Sequence, residues 1–412
     1  MTTASPPPLA GLRRLAAPAR REALRLGLRA RLPRPDRFSA GRPLIVGYLS
    51  SPLGLGEGAR LMRRALGQSG HASSVFDASP SLGLPGGVEV PPAPPDDGRG
   101  PVILHVNPPE LPHVLFRLRR TCPQRLAGRR LIGVWAWERS VLPGDWRRAA
   151  LLLDEVWALS PFNADTFADA IKPPVALTGY PIGMAPREGA AGRDWRRALG
   201  LGDAFCVLTT ADLHSSFTRK NPKGAAEAFR RAFAGSQNAV LVVKVSRTTP
   251  EDARARLGVA PDDPRVRVVA ERLDEADDAA LLSASNCVLS LHRAEGYGLL
   301  GARALASGRP AVLTAYSGVM AYADSPLFAG VRHTFVPVRD ADEVYADGTD
   351  VWAEPDLDHA AALLRRVAAR DEAARQVGAR EARAWWREHH GAAAFVRRIP
   401  AATRDLMAKG HA

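Results

Sequence analysis

Glu295 heads the short run Glu295-Gly296-Tyr297-Gly298, directly after an apolar stretch and directly before a helical pattern. A carboxylate there can accept hydrogen bonds from sugar hydroxyls. The flanking glycines leave backbone amides open to a phosphate at the start of the helix. Arg219 and Lys220 form a second constellation, just ahead of Asn221-Pro222, where asparagine is a good helix cap and proline a good first helical residue. Two cations beside the positive end of a helix dipole are poorly placed for stability unless an anion joins them. A diphosphate carrying a sugar would satisfy both groups at once. The plainer alternatives are a solvated pair of loop charges and a loop carboxylate among ordinary turn glycines.

The elements around these residues read as alternating strand and helix. Cys287–Leu291 is a buried strand, His292–Gly296 a polar loop, and Leu299, Leu300, Ala302 and Leu305 the apolar face of a helix stopped by Gly308. Ala311–Thr314 supplies the next strand, and Phe205–Thr210, Val240–Val245 and Val266–Val269 supply others, with Lys244 near the end of the second. Such alternation predicts an α/β fold with parallel sheets, whose ligands bind at the carboxyl ends of the strands.

The earlier part of the chain repeats the pattern. Pro43–Leu49 is a strand, followed after Ser50–Leu53 by Gly54-Leu55-Gly56-Glu57-Gly58-Ala59, read as a longer glycine-rich loop. Gly54, Gly56 and Ala59, with Asp77 further on, also match a dinucleotide fingerprint. Against that alternative, the first glycine of the fingerprint follows its strand almost at once. Val102–Val106 carries His105, with Asn107 at its end, and Leu131–Glu138 ends on a carboxylate. Taken alone, His105 reads as a core histidine. Asp356-x-Asp358 reads as a helix cap, and Glu388-His389-His390 has no third ligand nearby, so no metal site is expected.

At 412 residues the chain fits two domains. Its formal charge of +13, mostly arginine, favours anionic partners. Nucleic acid is the weakest of these, because no nucleic-acid module or basic–aromatic ladder occurs. Cys122, Cys206 and Cys287 are widely spaced, as small core residues of a reducing compartment are. No apolar run spans a membrane and no signal peptide is present, so the expected location is cytoplasmic. Residues 1–42 are rich in Pro, Ala and Arg. Leu24, Leu28 and Leu32 mark one helical face and Arg21, Arg25 and Arg29 another, which fits either a peripheral contact with an anionic membrane or a solvated tail.

Beyond these readings, the run Glu295-Gly296-Tyr297-Gly298-Leu299, Arg303-Ala304-Leu305-Ala306, Gly308-Arg309-Pro310-Ala311-Val312 resembles the signature of retaining glycosyltransferase family 4. The resemblance covers roughly residues 43–395. It implies the GT-B fold, two Rossmann-like domains facing a cleft: residues 1–42 a tail, 43–185 an acceptor domain, 190–385 a donor domain and 386–412 a helix packing back on the first. It implies a nucleotide-sugar donor, a glycan or lipid-linked acceptor, and no cofactor or metal. Glu295, Arg219 and Lys220 would carry catalysis. Gly296, Tyr297, Gly298, Leu299, Arg303, His292 and Lys244 would bind the donor, and Gly54, Gly56, His105, Asn107 and Glu138 would line the acceptor side. The series of Trp137-Glu138, Glu155-Val156-Trp157 and Ser160-Pro161-Phe162 resembles a bacterial subgroup acting on envelope or exported polysaccharide.

Arg303 departs from the signature, which has a second glutamate there for the ribose hydroxyls. Arginine has donors only and cannot accept those bonds. Val319 and Ala321 also replace polar residues of the related pattern. Altered ribose contacts, a different phosphorylated donor, or a non-catalytic binding protein of the same fold would each account for the change.

Overall fold

The computed structural model describes residues 21–28, 38–183, 192–212, 216–236, 238–246, 248–345 and 350–407. The rest of the N-terminal stretch, the whole of the 184–191 connection and the last five residues are among those outside them. Two sheets of six parallel strands each form the frame. In the first, β1 (Leu44–Gly47), β2 (Ser74–Asp77), β3 (Val102–His105), β4 (Leu131–Trp135), β5 (Glu155–Ala158) and β6 (Val175–Leu177) lie in the order β2-β1-β3-β4-β5-β6. In the second, β7 (Phe205–Asp212), β8 (Ala239–Ser246), β9 (Val266–Val269), β10 (Cys287–Ser290), β11 (Ala311–Thr314) and β12 (Phe328–Val331) lie in the order β12-β11-β10-β7-β8-β9. Strands such as Leu44–Gly47 and Ala311–Thr314 are buried throughout, because helices cover both faces of a parallel sheet.

The second order has its switch point between β7 and β10, where the chain first builds outward on one side and then returns to build on the other. Loops leaving neighbouring strands at such a point diverge and open a crevice at the carboxyl edge. The first sheet has the equivalent point between β1 and β3. A small antiparallel hairpin, β13 (His333–Pro337) and β14 (Val351–Pro355), stands beside the second sheet. Phe335–Pro337 lies in this hairpin.

The glycines after β1 do not form a loop. Gly54 opens the helix Gly54–Gln68, and only residues 48–53 connect it to the strand. A Cβ at Gly56 would overlap the carbonyl oxygens of Tyr48 and Ser51, and one at Gly58 would lie 2.6 Å from the Tyr180 ring. Glycine serves here for close approach rather than for flexibility. Asp77 accepts from the Ser79 hydroxyl (2.7 Å) and amide (3.1 Å), so its carboxylate staples its own turn rather than reaching toward a ribose.

Two segments at the ends pack on the first sheet's half. The helix over 21–28 buries Leu28 in the first-domain core, while Arg25 is buried and bonded to Glu22. Of the two faces read from the sequence, Leu28 and Arg25 are buried, Leu24 is half-buried, Arg21 is exposed, and Leu32 and Arg29 lie outside the described residues. At the other end, the helices Glu372–His390 and Ala392–Arg398 cross back. Trp386 Nε1 donates to the Ile182 carbonyl (2.9 Å), Phe395 packs edge-on against Trp157, and Thr403 donates to the buried Glu155 (2.7 Å). Trp386 is 1% exposed, so Trp386→Ala removes both its ring and this bond between halves. The expected cost is about 3–5 kcal/mol, read as a lower urea midpoint.

Candidate active site

The loops leaving β7 and β10 are zipped together by backbone. Phe217–Lys220 forms a single helical turn in which Ser216 accepts from the Arg219 amide (3.0 Å). Asn221 follows in the left-handed region at φ 49° and caps the helix Pro222–Ala232 by accepting from the Gly224 amide (3.1 Å). The same asparagine donates to the Leu291 carbonyl (3.0 Å), and the Arg293 amide donates to the Arg219 carbonyl (2.7 Å). Asparagine suits this position because it tolerates αL and presents both an acceptor and donors.

This framework delivers both cations to Glu295. The Lys220 ammonium bonds the Glu295 carboxylate, and Arg219 Nη1 lies 3.4 Å from it while donating to the Ala294 carbonyl (2.7 Å). Burial by itself would raise the Glu295 carboxyl, but Lys220 and Arg219 outweigh it and hold it at about 2. The Glu295 amide donates to Ser317 Oγ (2.8 Å) and its carbonyl accepts from the Gly318 amide (2.8 Å). A Cβ at Gly318 would overlap the Gly296 carbonyl, so this glycine is what lets the two loops touch. His292 is fully buried, and burial pulls it down to about 4, so it is neutral at ordinary pH. Its Nδ1 meets Ser290 Oγ at 3.1 Å, and its Nε2 has no hydrogen-bond partner among the described residues.

Not every expected donor contact faces the cleft. Tyr297 is 3% exposed, and its hydroxyl lies 3.2 Å from His390 Nδ1, so it is a core residue beneath the loop. Gly298, at φ 82°, opens the helix Leu299–Ala306 without a side-chain cap, and its conformation requires glycine. Lys244 and Arg303 are not free: both are bound to Asp278, Arg303 at 2.5 Å, and Arg303 also lies 3.7 Å from Glu57. Burial would raise the Asp278 carboxyl, yet Arg303 and Lys244 hold it below the usual range.

On the first-domain side, Gly54 faces Leu299, with a built Cβ 3.5 Å from the Leu299 side chain. Glu138 reaches to 3.8 Å of Arg219. Gly296 lies against the backbone of Trp137, and its carbonyl accepts from Ser160 Oγ (3.0 Å). His105 and Asn107 do not line the cleft. His105 is fully buried, bonds the Tyr180 hydroxyl (2.8 Å) and is pulled to about 4 by burial. Asn107 makes two 3.3 Å bonds to the backbone of Ala136 and pins the ends of β3 and β4 together.

Sequence reasoning missed Tyr345 and the Arg139–Asp350 pair. The Tyr345 ring lies 5.8 Å from the Arg219 guanidinium and 5.9 Å from that of Arg139, closing the cation loop from above. Arg139 Nε donates to Asp350 (2.7 Å) across the two halves. An aromatic in an otherwise acidic run was the one available signal for Tyr345. Among the described residues, no group of three or more His, Cys, Asp and Glu side chains is arranged to hold a metal ion.

A family model described as family 4 glycosyltransferase in conflict systems matches residues 167–394, more than half of the chain. The chain belongs to this family. Solved structures agree on the fold. HepE of Anabaena, crystallised with UDP, is 15% identical, with 87% of this chain and 98% of that one covered and a TM-score of 0.56. WaaG, a glycosyltransferase involved in lipopolysaccharide biosynthesis, is 16% identical, with 89% and 100% covered and a TM-score of 0.55. A UDP-forming trehalose-phosphate synthase of Burkholderia xenovorans is 15% identical over 76% and 75%, at 0.52. None of the curated proteins compared with the chain matches it. The architecture is thus GT-B, and the family's two sheets face each other across the site just described.

A carboxyl held at about 2 contributes stability that is full above its ordinary value of 4.5 and is lost as the pH falls toward 2. That contribution is about 3 kcal/mol at neutral pH. Denaturant melts of the wild type and Glu295→Gln between pH 7 and pH 3 should therefore converge as the pH falls. A constant gap across that range would contradict the assignment.

Proposed function

We propose that this family member transfers a hexosyl group from a nucleoside diphosphate sugar to a glycan or lipid-linked acceptor, with retention at the anomeric carbon and without a metal. The observation that carries the reading is the placement of Lys220, Arg219 and Glu295 together at the switch point between β7 and β10, facing Glu138 of the other half. Donor entry exchanges the Lys220–Glu295 pair for contacts with the ligand. Phosphate oxygens take the ammonium and the open amides at the start of Leu299–Ala306, and Glu295 accepts from the sugar hydroxyls. The bond from the anomeric carbon to the phosphate oxygen then breaks, and its electron pair leaves with the diphosphate. The acceptor hydroxyl attacks the same face, and its proton passes to the departing phosphate oxygen. Lys220 and Arg219 stabilise the charge that develops there, which is the electrostatic route to catalysis.

In this reading Asp278 substitutes for the missing glutamate. It is a carboxylate beside the helix Leu299–Ala306, positioned by Arg303 and Lys244, and it offers the lone pairs that Arg303 lacks. HepE, crystallised with UDP and with UDP-glucose, points to a uridine donor as the first to test. Such donors are made inside the cell, so a cytoplasmic site of action goes with the proposal. No described helix is long and apolar enough to cross a membrane. The second reading is a non-catalytic binding protein, which the ion pairs of Arg219 with Glu138 and of Arg139 with Asp350 favour by holding the halves together.

Thermal-shift titrations with UDP, UDP-glucose, GDP-mannose and ADP-glucose separate the two. A stabilisation by at least one nucleotide that falls at least tenfold in affinity in Lys220→Ala, with sugar release to water or acceptor that disappears in Glu295→Gln, is expected. Binding without any turnover selects the binding protein, and no response to any nucleotide rejects both.

A further inference from the structure

At the opposite edge of the second sheet lies a groove of about 730 Å³. It is bordered by the residues that lead into β7, β10, β11 and β12, including Phe205, Asn286, Pro310 and Leu327, and by the helix Glu372–His390. It therefore sits at the amino ends of the strands whose carboxyl ends carry Lys220 and Glu295. Six arginines and only two acids, Asp203 and Glu372, line it.

The excess of arginine over acid is what sets this groove apart. Some guanidiniums elsewhere are neutralised by carboxylates: Arg129 meets Asp96 at 2.8 Å and Arg293 meets Glu354 at 2.6 Å. In the groove Arg375 lies 3.9 Å from Glu372, while three others meet chiefly backbone carbonyls. Arg196 donates to Ala284 and Ala204 (both 2.8 Å), Arg309 to Ser283 (2.7 Å) and Ser285 (3.2 Å), and Arg383 to Ser307 (3.1 Å). Carbonyls orient a guanidinium and satisfy its donors without neutralising its charge. Burial and the proximity of Arg383 both push Arg309 toward the neutral form, the mark of like charges kept together. At the rim, the guanidiniums of Arg370 and Arg380 make no hydrogen bond or ion pair among the described residues.

We propose that this groove is a binding site for a small, multiply charged phosphorylated anion, separate from the interdomain cleft. Its volume falls in the range of small-molecule sites. Arg309 and Arg383, fixed by carbonyls, present their remaining donors as preorganised forks for phosphate. Both are half-buried in the concavity, where a duplex or a bilayer surface would meet only the rim. Among the described residues Phe205 is the only aromatic side chain in the lining, so these present no row of rings on which a single strand would stack.

Inorganic tripolyphosphate is the probe, titrated calorimetrically into the full chain at ~0.15 M salt, where exposed charges are already screened. The titration is done in Lys220→Ala, so that the cleft is silenced, and then with Arg370→Ala and Arg380→Ala added. Saturable binding that weakens at least tenfold on adding the two rim substitutions is expected. Absence of binding in Lys220→Ala, or equal affinity after the rim substitutions, would overturn the proposal. The same two substitutions in the otherwise unaltered chain give a second reading that does not depend on Lys220, and circular dichroism melts check that each variant folds. Displacement of the probe by a duplex oligonucleotide or by phosphatidylserine vesicles at tenfold lower concentration would reject a small-molecule ligand.

Discussion

Glu295 stays ionised inside the protein only because Lys220 and Arg219 reach it from a loop that leaves a different strand. The contact spans 75 residues of sequence, and it exists because β7 and β10 are neighbours in the sheet although β8 and β9 intervene in the chain. Removing either side leaves an uncompensated charge in a poorly solvated place, which typically costs several kcal/mol. Much of the local architecture maintains that contact. Asn221 ties one loop to the other, Ser317 and Gly318 hold the backbone of Glu295, and Tyr345 covers Arg219. The cluster is also adaptable: its cations can exchange one anion for another without changing the charge of the site.

The same electrostatics joins the two halves. Arg60 meets Glu275 (2.9 Å), Arg303 approaches Glu57 (3.7 Å), Arg219 approaches Glu138 (3.8 Å) and Arg139 meets Asp350 (2.7 Å). These are not equivalent. Glu275 is half exposed, and a pair like that contributes at most about 1 kcal/mol. Asp350 is almost fully buried and Arg139 nearly so, so geometry there is strictly imposed and a lost partner is expensive. Each half contributes both signs, so closure requires one register and resists sliding. The helix Glu372–His390 supplies the apolar counterpart, with Trp386 seated against Ile182.

The parallel strands were legible because strands covered on both faces read as short unbroken apolar runs, as Leu44–Gly47 and Cys287–Ser290 do. Glu295 and the Arg219–Lys220 pair were legible as chemistry, one from its glycine-flanked loop and the other from charges set against a helix dipole. Gly54–Gly58 was misread because glycine signals both flexible loops and close packing, and only the neighbouring Tyr48, Ser51 and Tyr180 tell the two apart. His105, Asn107 and Tyr297 have side chains that suit a site, but their partners, Tyr180, Ala136 and His390, come from other elements. Tyr345 gave only a weak signal, an aromatic in an acidic run, since its importance lies in contacts with Arg219 and Arg139 made after folding.

Arg303 shows how a substitution can reverse a charge without reversing the balance of a site. A glutamate at this position would be a free acceptor on the helix Leu299–Ala306. The guanidinium instead draws in Asp278 from the helix Glu275–Ala284, which also takes Lys244, with Glu57 nearby as a second acid. Two cations and two anions result, so the region stays near neutral and nothing in it demands an extra phosphate. In the proposed function the acceptor role passes to the neighbouring helix, onto a carboxylate already held by two donors. Such a carboxylate has fewer lone pairs to offer and a more rigid position. Recognition at that point should therefore depend less on the strength of one hydrogen bond and more on the fit of the ligand against a fixed group.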